Sequence, residues 1–279
     1  MTRYTWATDV HLDFIDDDAR LIAFAESLIR DNPDGIIFSG DISVSNRLTY
    51  HLSVIERVVQ RPIYFVLGNH DYYGDSIEKI RENMKELSNM SQYLRYLPLT
   101  PYTMLSSNTA VVGHDGWYDA LNGDWQKSTF TMNDWGLIRE FAQAASVVPY
   151  ARIDGAQKAT IVALARKLAH AGVMHVHDSI KAAARHFKNI VVVTHYPPFA
   201  ESHVYNGRIG DAHAQPWFTS RMMGEMLLDA SKAFPKCHFT VFAGHTHGQY
   251  DGKMASNLDV HVGGAEYGRP GPQQLITVP

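Results

Sequence analysis

A single cysteine, Cys237, is all the chain contains. No disulfide can close within it, and a thiolate-rich zinc site is excluded. Long apolar runs are missing too, and no stretch approaches the ~18 residues that a membrane-spanning helix requires. Nor is there an excess of positive charge: 25 Lys and Arg against 29 Asp and Glu leave a formal net charge of −4. No global basic field therefore draws the chain to nucleic acid, and no basic stretch supports a nuclease. The first residues lack the basic start and apolar stretch of a secretory signal. A cytoplasmic protein without membrane or specific nucleic-acid partners is the expectation. Internal repeats, low-complexity tracts and linkers are absent as well, so residues 1–279 are expected to form a single domain.

What the chain has is an alternation of short apolar runs and helical periodicity. Tyr4 to Val10 is β-prone, and Ala19 to Arg30 carries apolar residues at helical spacing behind the acidic Asp16–Asp18. Gly35-Ile-Ile-Phe-Ser and Pro62-Ile-Tyr-Phe-Val-Leu read as strands buried on both faces, with helices over 47–60 and 76–87. A hairpin is predicted across Ser106-Ser107-Asn108, and a helical stretch over 154–187, broken near Gly172. Further strands are predicted after Asn189, His238, Asp259 and Gln273, with a helix over 220–234. The β-α-β-α-β start indicates an α/β fold with a partly parallel sheet. Two long polar loops, 113–134 and 197–217, interrupt the pattern.

The chain also has 15 histidines, and where they fall matters more than their number. Five β-prone runs end in metal-capable side chains: Asp9-Val-His11, Gly40-Asp41, Gly68-Asn69-His70-Asp71, Thr194-His195 and Gly244-His245-Thr246-His247. A lone histidine at a strand end is ordinarily a hydrogen-bonded surface residue. In open α/β sheets, however, ligands bind beyond the carboxyl ends of the strands, where all five clusters fall. Imidazole, carboxylate and one amide oxygen, without sulfur, suit Mn, Fe, Zn or Co and do not choose among them.

In their order, D-x-H, G-D, G-N-H-D, a strand-end His and G-H-x-H resemble the motifs of the calcineurin-like metallophosphoesterases, and they run from Asp9 to His247. The resemblance implies a four-layer α-β-β-α sandwich of two mixed sheets flanked by helices. It implies two metal ions: Asp9, His11 and His247 on the first, Asn69, His195 and His245 on the second, with Asp41 bridging. It also implies hydrolysis of a phosphate mono- or diester by a hydroxide held between the ions. In that scheme His70 faces the substrate, paired with Asp71. Protein Ser/Thr phosphatases of the superfamily carry Glu after G-N-H, whereas this chain has Asp71. A small-molecule or nucleotide ester is therefore the expected substrate, with a protein phosphatase or a non-catalytic scaffold as alternatives.

The remaining candidates are weaker. His114, Asp115 and Tyr118 follow an apolar strand and are candidate substrate contacts, against packing of their loop around Trp117. Arg208 is the loop cation singled out for a phosphate, ahead of His203 and His213. His175 and His177 lie two apart in a helical stretch, so they face different directions and cannot share an ion. They are read, with His170 and His186, as structural or solvent-facing, and Asp13 and His261 as structural.

Overall fold

A computed structural model describes residues 1–279. Short runs rich in β-branched and aromatic residues form β1 (Thr2–Ala7), β2 (Gly35–Ser39), β3 (Ile63–Val66) and β4 (Leu94–Tyr96), all mutually parallel. The amphipathic segments between them form α1 (Asp18–Leu28), α2 (Ser45–Val59) and α3 (Ile77–Met90). Asp17 caps α1 by accepting from the Ala19 N–H, and Ser76 caps α3 by accepting from that of Lys79.

The second half builds another sheet. It begins with the predicted hairpin, β5 (Thr103–Met104) against β6 (Thr109–Gly113). Two short helices, α4 (Asp134–Leu137) and α5 (Arg139–Ala145), lead into α6 (Gly155–Ala183). After β7 (Asn189–Val193) come the small hairpin β8 (Val204–Tyr205) and β9 (Arg208–Ile209), then α7 (Gln215–Phe218) and α8 (Arg221–Ala233). β10 (His238–Ala243), β11 (Tyr250–Ala255), β12 (Leu258–Val262) and β13 (Gln274–Val278) finish the chain. The second sheet runs β11-β12-β10-β7-β6-β5, while β13 returns to the first sheet and pairs antiparallel with β1. Both sheets are mixed.

Alternation along the strands sets the layers. Tyr4, Trp6 and Ile37 of the first sheet meet Val111, Val191, Val193 and Phe242 of the second in one buried cluster. The Trp6 and Phe242 rings lie 4.7 Å apart across it. On the opposite faces, Ile36 and Phe38 pack with α1 and α2, and Ile190, Val192 and Val241 pack with α6 and α8. This is the expected four-layer sandwich. The predicted break in the long helix does not occur. α6 is continuous, held at its start by a capping box between Asp154 and Gln157, and Gly172 lets it press close to His114.

His51 of α2 is buried, its Nδ1 2.7 Å from Ser43 Oγ, and burial pushes its pKa down to about 4. A histidine kept neutral in the fold charges first in the unfolded chain. Its stabilising contribution is full above about pH 6.5 and falls as the pH drops toward 4. Urea unfolding at pH 7.5 and pH 5 should show wild type losing about 1–2 kcal/mol relative to His51→Asn between the two. An unchanged difference would contradict a neutral buried His51.

Candidate metal centre

The carboxyl ends of β1, β2, β3, β7 and β10 point to one place, and the loops leaving them are laced together. The Asp9 N–H donates to the Gly40 carbonyl (3.0 Å), and His11 N–H to that of Asp41 (3.1 Å). His70 N–H donates to Asp41 Oδ1 (2.9 Å), and His245 N–H to Asp9 Oδ1 (2.8 Å). Such sharp turns force unusual backbone: Asp9, His11, Asp41, His245 and His247 all have φ between 40° and 71°. Left-handed backbone at non-glycine residues concentrates where function demands it. At Gly40, φ is 98°, and a Cβ there would overlap the His195 imidazole. A Cβ at Gly68 would overlap the Asp41 carboxylate.

Two donor groups result, sharing Asp41. In one, His11 Nε2 lies 3.0 Å from His247 Nε2 and 3.8 Å from Asp41 Oδ2, while His247 Nε2 lies 3.5 Å from Asp9 Oδ1. In the other, His195 Nε2 lies 3.4 Å from Asp41 Oδ2 and 3.1 Å from Asn69 Oδ1. His245 completes it, with a ring nitrogen in the same cluster as Asp41 and His195. By distance alone His70 also belongs, since one of its ring nitrogens falls within 4.8 Å of donor atoms of His11 and Asp41.

The outer contacts decide which atoms face the centre. His195 Nδ1 donates to the Ser39 carbonyl (2.9 Å), which leaves Nε2 as the acceptor toward Asn69 and Asp41. His245 Nε2 donates to the Trp217 carbonyl (3.2 Å), which leaves Nδ1. The Asn69 amide nitrogen donates to Tyr73 Oη (2.8 Å) and Asp134 Oδ1 (2.9 Å), turning Oδ1 inward. Acceptors brought this close in a buried space need a positive charge between them. Burial and donor chemistry together fit a pair of divalent cations.

The electrostatics agree. Burial opposes charge on His195, yet the Asp41 and Asp9 carboxylates carry its pKa up to about 10, a proton filling the place a cation would take. Burial likewise opposes charge on Asp41, but His195, His70 and His11 pull its pKa well below the ordinary value. Burial holds His11 down at about 2 and lowers His245, so both are neutral imidazoles suited to ligation.

Several predicted roles fail. Asp71 does not pair with His70. It is fully buried and accepts from the Gly68 N–H (2.8 Å), the Ile42 N–H (3.0 Å) and the Ser43 N–H (2.8 Å), bracing two ligand loops. His114, Asp115 and Tyr118 are core residues, not substrate contacts. Asp115 accepts from the Tyr72 and Tyr96 hydroxyls (2.7 and 2.6 Å), Arg81 Nε (3.0 Å) and the Leu67 N–H (2.9 Å). His114 lies under α6, where burial lowers its pKa to about 3, and Tyr118 accepts from Trp135 Nε1. Arg208 does line the cavity that opens over the centre, as does His203.

That cavity holds about 580 Å³ and is bounded by Asp41, Asn69, His70, His245 and His247. Phe130, Phe218 and Ile209 give it apolar walls. Three of the residues that shape the centre did not stand out in the sequence: Tyr73, Asp134 and Tyr267. Tyr73 Oη donates to Asp134 Oδ1 (2.7 Å), closing a triangle with Asn69. None of the three sits in a motif or an apolar-to-polar strand end, so no local signal marks them.

A family model described as calcineurin-like phosphoesterase matches residues 2–249. Among solved structures, the chain is similar to phosphopantetheinyl hydrolase from Mycobacterium tuberculosis, at 15% identity and a TM-score of 0.60, over 94% of this chain and 89% of that one. It is also similar to a dimetal phosphatase from Danio rerio, at 13% identity and a TM-score of 0.55, over 94% and 87%. At these identities the likeness is one of fold. No curated protein matches the sequence.

Proposed function

This chain belongs to the calcineurin-like phosphoesterase family, and we propose that it hydrolyses phosphate esters of small molecules or nucleotides at a centre of two metal ions. The supporting observation is the pair of donor groups that share one carboxylate, Asp41, at 3.4 Å from His195 Nε2 and 3.8 Å from His11 Nε2. Asp9, His11 and His247 would hold one ion, Asn69, His195 and His245 the other, with Asp41 common to both. When bound, such a pair lowers the pKa of water and neutralises charge on the phosphoryl group.

The protein's own groups do the rest. Asp134 and Tyr73 accept from the Asn69 amide nitrogen, which would leave its oxygen to the ion it holds. His195 and His245 are locked in tautomer by the Ser39 and Trp217 carbonyls. His70 lines the cavity beside His11, with ring centroids 4.5 Å apart, and serves as the proton donor to the departing oxygen. Its backbone N–H, held by Asp41, places it there. Asp71 helps by fixing the loop, and the tautomer of His70 does not depend on it.

The cavity favours a compact organic ester. Arg208 is its one Lys or Arg, offset by Asp211, so a polyphosphate would find little positive charge beyond the ions. Both structural relatives named above carry names from phosphate-ester chemistry, which supports the same class. The test strips the metals and assays mono- and bis-p-nitrophenyl phosphate and a phosphopeptide with Mn, Fe, Zn and Co. Turnover of the small esters is the expected result. Preference for the phosphopeptide would reassign the substrate, and no turnover with any ion would overturn the reading.

A further inference from the structure

The family match ends at residue 249, yet the chain beyond it returns to the centre. The segment after β12 is pinned at several points. Ala265 N–H donates to the His247 carbonyl (3.2 Å), and the Gln273 side chain brackets Gly264 through bonds of 3.1 and 2.7 Å. At its tip, Gly268 adopts φ 74°, and its carbonyl accepts from Arg20 Nη2 (2.7 Å). The side chain presented by this turn is Tyr267. Its ring centroid lies 4.5 Å from that of His11, 4.9 Å from His247 and 4.7 Å from Phe14.

Tyr267 and His70 both line the cavity, their rings 6.1 Å apart and each 4.5 Å from the ring of His11. Tyr267 lines the cavity, and its hydroxyl makes no hydrogen bond to any protein group. Tyr267 is 47% exposed, and a ligand oxygen entering the cavity that it lines would replace water as the partner of its hydroxyl.

We propose that Tyr267 is a further substrate-binding residue, its O–H donating to a non-bridging oxygen of the phosphoryl group while His70 serves the departing oxygen. This rests on the phosphoesterase reading. No proton leaves the phenol. The hydrogen bond strengthens as negative charge grows on that oxygen, which is what a fixed donor contributes to a transition state. Two donors beside His11 would each serve a different oxygen of one tetrahedral group.

The test compares wild type, Tyr267→Phe and His70→Ala across aryl phosphates whose leaving groups differ in pKa, together with metal content and calorimetric binding of inorganic phosphate to the Mn-loaded proteins. Tyr267→Phe keeps the ring on His11 and Phe14, so its metal content should match wild type. Its kcat/KM should fall roughly 10- to 100-fold, by a similar factor for every leaving group, and phosphate should bind more weakly. For His70→Ala the loss should grow with leaving-group pKa. Unchanged kcat/KM and phosphate affinity in Tyr267→Phe would overturn the assignment, and so would loss of metal, which makes the residue structural. If wild type hydrolyses no ester, phosphate binding decides alone. Weakened binding keeps Tyr267 as an anion contact although the phosphoesterase reading falls, and unchanged binding removes both.

Discussion

Replacing Asp41 with Asn is expected to cut turnover of a small phosphate ester by at least roughly 1,000-fold, and to cost the protein at least one of two bound ions. The carboxylate faces both donor groups at once, with Oδ2 3.8 Å from His11 Nε2 and 3.4 Å from His195 Nε2. Its other oxygen holds the His70 N–H. An amide of the same size keeps that hydrogen bond only if its oxygen takes the place of Oδ1. Its NH₂ then points at two imidazole nitrogens, where a bound pair of ions would require a negative oxygen. With two ions bound, the charge would be lost between them, and their mutual repulsion would no longer be offset. Metal content and kcat/KM of Asp41→Asn, measured on protein prepared with excess Mn, check this. A variant with two ions and more than a tenth of wild-type activity would contradict it.

Changing His70 to Ala should separate catalysis from metal binding. The imidazole lies within reach of His11 and Asp41, so distance alone does not distinguish a ligand from a proton donor. The two roles predict different outcomes. As a donor, His70 contributes the 10²- to 10⁴-fold typical of general acid catalysis, so kcat should drop by roughly that factor while both ions remain. The drop should be smallest for leaving groups that depart readily without a proton. As a ligand, its loss would empty or weaken one site and affect all substrates alike. Metal analysis beside a leaving-group series decides, and a variant lacking one ion would transfer His70 to the ligand set.

Much of this centre is legible in the sequence, for a physical reason. A buried strand reads as an unbroken apolar run, so a polar, metal-capable group at its end stands out, and parallel strands carry all such ends to one edge. That is how the five clusters that hold Asp9, His11, Asp41, Asn69, His195, His245 and His247 could be picked out together, while the division of their residues into ligands and others came from the resemblance to the family. Side-chain direction within a tight turn is less legible. His70 and Asp71 are adjacent in a single 3₁₀ turn, His70–Tyr72, which sends the first toward the cavity and the second inward to three backbone N–H groups. The same holds after β6, where His114 N–H pairs with the Val193 carbonyl and the loop passes beneath α6 into the core. Asp134 opens the four-residue helix α4, too short for periodicity to show, and Tyr267 lies in an irregular segment, so only tertiary packing brings them to Asn69 and His11. The short strands β4, β8 and β9 span two or three residues each, too few for alternation to show.

The most direct measurement is a Mn(II) titration of metal-stripped protein followed by electron paramagnetic resonance. Two donor groups sharing Asp41 predict binding that saturates at two ions per chain, with the spectrum of a spin-coupled pair. Saturation at one ion, or two ions with the spectrum of isolated Mn(II), would mean that Asp41 does not join them, and the dinuclear centre would be wrong.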